Sequence, residues 1–436
     1  MTLTEERVPF TSLDEAVHLL DTPAEPWSIQ LEVRVSGTLD EGRLRAAIPT
    51  ALARHPMARA KLLPARRTDK RWTWAITGAP ELDPLKVVDC ANDLELAEVR
   101  SELHSLSVPL AESPPLRLRL VRYPQGDVVM VNANHAAFDG FGTLAVLQSI
   151  AKAYIEEEEP EPDVPLPTAR DLEGLTRAEG AGERMRRLRA LADKARDLVT
   201  PPARIASKGG SDRAGYGIHQ ISVHLPRKPE KATVNDLLLA ALNLAIAGWN
   251  VEQGTSCRRI SVLMPVNLRP PEWKTEVVTN FVSETRVTTT PKDRQSPQAT
   301  LDAIADQTRR IKEGESAALM ELLSKTARFP LWMKQPLSPF IWMTGNRLVD
   351  TAVLSNLGMV SDEELPDFGP EAGDVLGVWF SAPARMPCGL SVGAVGAAGK
   401  LHLAFRYRYP LWGPAAATAF ADRFVTELGV LEREVS

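Results

Sequence analysis

Residues 128–142 read VVMVNANHAAFDGFG. Val128 to Val131 is a continuous apolar run, the pattern of a strand buried on both faces. It runs directly into His135, so a rigid strand delivers an imidazole to the loop at its end, a common place for reacting groups. Asp139-Gly140 follows, and a helix is expected from about Thr143 to Glu156, with Leu144, Leu147, Ile150, Ala151 and Tyr154 on one face. Upstream, Leu116 to Val121 alternates Leu and Arg, and Pro124-Gln125-Gly126-Asp127 makes the turn between the two strands.

The same alternation of strand and helix continues outward. Ile29, Leu31, Val33 and Val35 share one face of a strand that reads as half-buried. Leu39 to Arg54 follows as an amphipathic helix, with Pro49 as an irregularity. Glu156 to Pro167 is acidic and proline-rich and reads as a linker. Beyond it, Glu183 to Val199 is a helix dense in arginine, either a solvated crossover or a basic surface for a phosphate-bearing group. Strands are expected at Ile218–Leu225, Arg259–Val266, Val277–Thr288, Ala352–Asn356, Val375–Ser381, Gly389–Val395 and Leu401–Arg408. Helices are expected after Thr233, at Pro297–Lys312, at Ser316–Thr326 and at Ala415–Glu432. This is an α+β pattern in two similar lobes: residues 1–170, a connection over 171–215, and residues 216–436.

Composition narrows the function. The chain has 436 residues, 44% hydrophobic and 25% charged, so it can bury a large core and is not disordered. A net charge of -5 argues against nucleic acid as the main partner. Cys90, Cys257 and Cys388 lie far apart, which disfavours a disulfide scaffold and fits a reducing cytoplasm. The first twenty residues lack a basic stretch followed by an apolar one, so no secretory signal is expected there. Val234 to Trp249 is the most apolar long stretch, but its polar residues suit a buried helix better than a membrane span. The seven histidines form no HxxxH or HExxH pair, so no metal site is expected, and no phosphate-binding glycine loop occurs.

His135 suits a general base, because neutral imidazole accepts a proton near physiological pH. Asp139 braces the loop or bonds to the histidine backbone, and Gly140 permits a close approach or backbone conformation that a side chain would block. His55 reads as a helix end, and Cys388 lacks a basic partner in sequence. Trp332, Trp342, Met333 and Met343 read as core or as an apolar wall.

Asn134 to Gly140 (NHAAFDG) resembles the HHxxxDG motif of the chloramphenicol acetyltransferase-like superfamily, which includes nonribosomal peptide condensation domains, wax ester synthases and mycobacterial polyketide-associated acyltransferases. Further segments fall in the same order: RHPMAR at 54–59, TVND at 233–236, PVNLR at 265–269, Asn280-Phe281, and LSNLG at 354–358. Asn134 stands where the first motif histidine would be, and Asp367-Phe368-Gly369-Pro370 does not match the plant-type DFGW. The resemblance implies two similar αβ lobes in a V with a tunnel at their interface. His135 would be the general base there, and Asp139 a structural aspartate paired with Arg269. Asn134, Ser355 and Asn356 would line the tunnel or stabilise an oxyanion, or the last two simply end a strand.

The resemblance also implies a stand-alone acyltransferase. It would move an acyl group from coenzyme A or a carrier protein's phosphopantetheine thioester to an amine or hydroxyl, with no tightly bound cofactor, in natural-product or lipid-conjugate synthesis. The alternatives are a catalytically silent relative that binds a carrier protein or hydrophobic ligand, or another reaction in the same cleft.

Overall fold

The computed structural model describes residues 6–175, 180–196, 199–274, 276–313, 328–335 and 346–435, with residues 323, 325, 326, 343 and 344. The N-terminal part runs β1 (Glu6–Pro9), α1 (Ser12–Leu20), β2 (Ser28–Val35), α2 (Glu41–Arg54), β3 (Ala60–Leu62), β4 (Thr73–Ile76), β5 (Leu85–Asp89), α3 (Asp93–Ser105), β6 (Leu116–Arg122), β7 (Val128–Asn134) and α4 (Gly140–Tyr154). Short helices α5 (Leu166–Ala169) and α6 (Leu172–Leu175) and the arginine-rich α7 (Ala181–Ala195) form the connection. The C-terminal part runs β8 (Tyr216–His224), α8 (Val234–Glu252), β9 (Ile260–Asn267), β10 (Val282–Thr289), α9 (Pro297–Lys312), α10 (Leu331–Lys334), β11 (Ala352–Met359), β12 (Val375–Ser381), β13 (Leu390–Ala397), β14 (Lys400–Arg408) and α11 (Pro414–Val435). The helix expected at Ser316–Thr326 falls largely outside the described residues, as does Trp342.

Two mixed sheets dominate, ordered β12-β2-β7-β6-β5 and β10-β9-β11-β13-β14-β8. The first packs on α2 and α4 through Leu31, Val33, Val129, Val131, Ile48, Leu52, Leu147 and Ile150. The second packs on α8 and α11 through Leu238, Leu242, Val392, Leu403, Phe420 and Phe424. Among the described residues only α8 has the length and apolarity of a membrane span, and 67% of its apolar window is buried, as in a core helix. On α7, Arg184 and Arg189 are exposed while Arg187 is buried against Glu183.

The structure corrects three expectations. First, β12 pairs antiparallel with β2, Val378 opposite Val33, so a strand from residues 216–436 completes the N-terminal sheet and the lobes are not continuous stretches of chain. Second, β2 is not half-exposed. Its polar face is covered by α3 of its own lobe and by β8 of the other: Glu32 takes two bonds from Arg100 of α3, at 2.7 and 2.8 Å, and one from Gln220 of β8 at 3.1 Å. Burial alone would raise the Glu32 pKa, but Arg100 and Arg34 together hold it well below the usual carboxylate range. Third, Trp332, Met333 and Met343 are not core; they are 50%, 48% and 76% exposed.

Pro49 sits inside α2 without breaking it, and His55 ends that helix as its C-cap. The buried His55 ring meets the Ser149 hydroxyl of α4 through Nε2 at 2.9 Å. Burial, then the neighbouring Arg54, pushes its pKa down to about 3. In the unfolded chain the ring protonates near pH 6.5. Stability is therefore full above pH 6.5 and falls as pH drops toward 3, by about 1.4 kcal/mol per pH unit from this ring alone. His55→Asn should flatten the acid limb of stability by that slope. Urea denaturation of both chains from pH 7 to pH 4 measures it; equal slopes would refute this account.

Candidate active site

β7 is buried along its whole length and delivers Asn134 and His135 to a tight turn. The turn is built on Asn134. Its backbone carbonyl accepts the N–H groups of Ala137 (3.1 Å) and Phe138 (3.2 Å), and its side-chain oxygen accepts that of Ala136 (3.0 Å). Its amide nitrogen donates to Asp21 (2.8 Å) and to the Val108 carbonyl (3.0 Å). Asn134 is thus occupied on every side as a turn brace, which corrects its reading as a tunnel or oxyanion residue. The His135 N–H remains tied to the Trp27 carbonyl at 3.0 Å, so the histidine is still anchored beside the end of β2.

The His135 ring lies 2.8 Å from the Phe138 carbonyl through Nδ1. A carbonyl only accepts, so Nδ1 carries the hydrogen and, in the neutral ring, Nε2 keeps its lone pair. Nε2 has no hydrogen-bond partner among the described residues, and the residue keeps 9% of its exposure. Burial lowers the ring's pKa; Asp139 and the backbone partners offset this only in part. The imidazole is therefore held neutral at physiological pH, with one nitrogen fixed as donor.

Asp139 does not hold the ring. It is the N-cap of α4 and accepts the Gly142 N–H at 2.7 Å. Its carboxylate also accepts the Phe281 N–H (2.9 Å) and pairs with Arg269 Nη2 (3.1 Å), both from the other lobe. Both side chains are wholly shut from solvent. The same Nη2 donates to the Val277 and Thr279 carbonyls at 3.1 and 3.2 Å, and Nη1 to Asn267 at 3.3 Å. Residues 277–281 are consequently a loop wrapped on this ion pair, and β10 begins only at Val282, later than the β-branched run suggested. The Asp139–Arg269 pairing expected from the sequence is present.

Gly140 starts α4 where the lobes touch. A Cβ there would stand 2.7 Å from Leu357 Cδ2 and 2.9 Å from Phe380 Cε2, so glycine is demanded by close approach. Ser355 shares the interlobe face of β11 with Val353, opposite Gly393 of β13. It is buried, and its hydroxyl has no partner among the described residues. Asn356 instead accepts the Gly358 N–H (2.8 Å) and turns toward Asn235 of α8 (3.5 Å), which occupies its amide; it does not end the strand, since β11 runs on to Met359 with a register shift after Asn356.

A second interlobe link escapes the sequence reading. Arg170, from the connection, donates to Asp14 (2.5 Å), Thr279 Oγ1 (2.9 Å) and the Pro9 carbonyl (2.9 Å). Asp14 forms a capping box with Thr11 at the start of α1 and also accepts from Trp74 at 3.1 Å. That box is a legible signal for α1; the reach of Arg170 is not. Cys388 is buried with its thiol pushed up to about 12, so it stays protonated.

An uncharacterised protein of Mycobacterium tuberculosis is 34% identical over 407 residues, covering 91% of this chain and 93% of that protein. A linear gramicidin synthase of Brevibacillus parabrevis is 25% identical over 273 residues, 56% of this chain but 3% of that much longer protein. A starter condensation domain of rhizomide synthetase superposes with a TM-score of 0.69 at 14% identity, covering 98% of this chain and 95% of that one. The chain belongs to one family with the mycobacterial protein, and its fold is that of the condensation domains of the chloramphenicol acetyltransferase-like kind. No single family model matches the sequence. Other solved structures of this fold are an epimerization domain of tyrocidine synthetase (TM-score 0.67, 16% identity, 99% and 97% coverage) and a cyclization-docking bidomain from Sorangium cellulosum (0.68, 17%, 98% and 85%). Condensation, epimerization and cyclization are different reactions, so the shared fold supplies the two lobes without choosing the chemistry.

Breaking the buried pair from either side should cost about 3–5 kcal/mol, because one uncompensated charge is left behind. Asp139→Ala and Arg269→Ala should each reach that loss in urea denaturation, and the double variant should lose far less than their sum. An additive double variant would show that the pair carries no coupling. Gly140→Ala should destabilise through contact with Leu357 and Phe380, and Leu357→Ala in the same chain should recover part of the loss. An unchanged melting temperature in Gly140→Ala would refute that packing argument.

Proposed function

We infer that this chain of condensation-domain fold is an acyltransferase with His135 as general base. The single observation that carries the reading is the fixed tautomer: Nδ1–H is committed to the Phe138 carbonyl, and a desolvated, neutral Nε2 remains to accept a proton. The donor is an acyl thioester on coenzyme A or on a carrier protein's phosphopantetheine, and the acceptor is an amine or hydroxyl. The rhizomide starter domain solved with C8-CoA and Leu-SNAC supports a thioester donor for a protein of this fold.

The acceptor nitrogen or oxygen approaches Nε2, which takes its proton as the new bond to the thioester carbon forms. The carbonyl electrons move to oxygen, giving a tetrahedral oxyanion. Collapse of that species breaks the C–S bond, and the leaving sulfur takes the proton back from the imidazolium. A positioned base contributes about 10²–10⁴-fold. The Ser355 hydroxyl is the remaining candidate donor to the oxyanion, a contribution of about 10²–10³-fold where such a donor is well aligned. Asp139 acts through the backbone, by holding the helix start and the turn behind the ring, and Arg269 and Gly140 keep the second lobe against it.

A panel of acyl-CoA thioesters with amine and alcohol acceptors, read by mass spectrometry, tests the reading. His135→Ala should lower turnover by about 10²–10⁴-fold with an unchanged circular dichroism spectrum and melting temperature. Because the neutral ring is the working form, kcat/KM of the native chain should fall as pH drops through a value below the ordinary imidazole 6.5. Full activity in His135→Ala, or an acidic limb that stays in place in that variant, removes His135 from the mechanism.

A further inference from the structure

The segment around α10 presents two opposite faces. Leu331 is buried and its N–H bonds to the Asp69 carbonyl at 2.8 Å. Lys334 is buried and donates to Glu15 and to the Lys70 carbonyl, both at 2.7 Å. Between them Trp332 and Met333 point outward, 50% and 48% exposed, and Phe329 just before is 47% exposed. A segment pinned this firmly on one face does not expose its aromatic residues through looseness. The Trp332 N–H bonds to the Arg67 carbonyl at 3.1 Å, so these apolar side chains stand directly beside the loop Arg66-Arg67-Thr68-Asp69-Lys70-Arg71. Arg66, Arg67, Lys70 and Arg71 are all exposed, as is Arg328. Arg66, Arg67 and Lys70 have no ion-pair partner among the described residues, and Asp69 is turned back onto the Arg66 N–H at 2.7 Å. A chain with a net charge of -5 thus gathers cations around one exposed aromatic-and-methionine cluster.

We propose that this face docks on an anionic lipid surface, with Trp332, Met333 and Phe329 entering the headgroup boundary and Arg66, Arg67, Lys70 and Arg71 meeting lipid phosphates. The charge complementarity selects an anionic partner. Tryptophan beside arginine and lysine, with a polar end and an apolar body, is the combination that a bilayer interface rewards. Each basic residue near such a surface adds about five-fold to partitioning, and the attraction is screened by salt. This proposal is independent of the acyl-transfer reading, since the vesicle assay needs no turnover.

The full chain should co-sediment with vesicles of phosphatidylcholine mixed with phosphatidylglycerol, and stay in the supernatant with phosphatidylcholine alone. Raising the salt should release it. Arg66→Glu with Arg67→Glu should weaken partitioning by at least about 25-fold, from two residues at about five-fold each. Trp332→Ala with Met333→Ala should weaken it by about ten-fold or more, from the apolar area withdrawn. All four positions are exposed, so melting temperatures should not move, and a variant whose melting temperature holds while binding falls supports the proposal. A native chain that ignores anionic vesicles overturns it. So does binding that survives both double variants, which would put the contact elsewhere, for example on α7 with its exposed Met185 and Leu188. Capture of an acidic carrier protein through these residues, without vesicle binding, would reassign the face and equally overturn the lipid proposal.

Discussion

A carboxylate and a guanidinium sealed from water survive together only when each is answered by the other and by further hydrogen bonds. Asp139 and Arg269 meet that condition. The carboxylate accepts from the Gly142 N–H of its own helix, from the Phe281 N–H of the other lobe and from Arg269. The guanidinium in turn gathers the carbonyls of Val277 and Thr279. Moving the lobes apart here would strand a charge on each side, so the pair permits one spacing and heavily penalises others. Thr279 extends the constraint: its carbonyl serves Arg269 and its hydroxyl serves Arg170, which reaches Asp14 and the Pro9 carbonyl. One connected set of bonds therefore links α1, the crossover connection, the loop before β10 and the start of α4.

The imidazole inherits its position from that set. His135 lies between a strand end and a helix cap, and both are immobilised: Asn134 closes the turn and Asp139 caps the helix. The ring then needs one further bond, to the Phe138 carbonyl, to fix its tautomer. A side-chain carboxylate in that place would stabilise the protonated ring and raise its pKa. A backbone carbonyl in a buried site orients the ring while desolvation keeps it neutral. The aspartate of the motif thus contributes geometry, and burial keeps the ring in its neutral form.

What the sequence made legible was local. The apolar run of β7, the punctuation at Asp139-Gly140 and the helix after it lie within about two dozen residues, where periodicity and capping decide. Misread features depend on residues far apart in the chain. The polar face of β2 alternates as a solvent-exposed face does, yet Glu32 is closed in by Arg100 and Gln220. Val375 to Ser381 was legible as a strand, but nothing within it says that it pairs with β2 rather than with its chain neighbours. Val277 to Phe281 has strand-forming composition, and its backbone is drawn off by charges it cannot foresee. Trp332 and Met333 are apolar and so read as core or as an apolar wall; exposure is decided by the loop at Arg67–Asp69 onto which that segment is hung.

The contact between the lobes also lacks room for adjustment. A Cβ on Gly140 would meet Leu357 and the Phe380 ring, and a Cβ on Gly393 would meet the Phe380 carbonyl. Phe380 belongs to β12, the strand that leaves one lobe to finish the sheet of the other. Two glycines thus let a borrowed strand sit against both α4 and β13 without intervening side chains. Close-packed contacts of this kind are bistable or fixed and do not deform gradually. With the ion pair formed at Asp139 and the borrowed strand packed on Gly140, the turn that carries His135 is held by the backbone on which it is built. On the proposed acyl-transfer reading, the rate advantage would come from preorganisation: an acceptor would have to be brought to Nε2, since the fold leaves Nε2 little freedom to go to the acceptor.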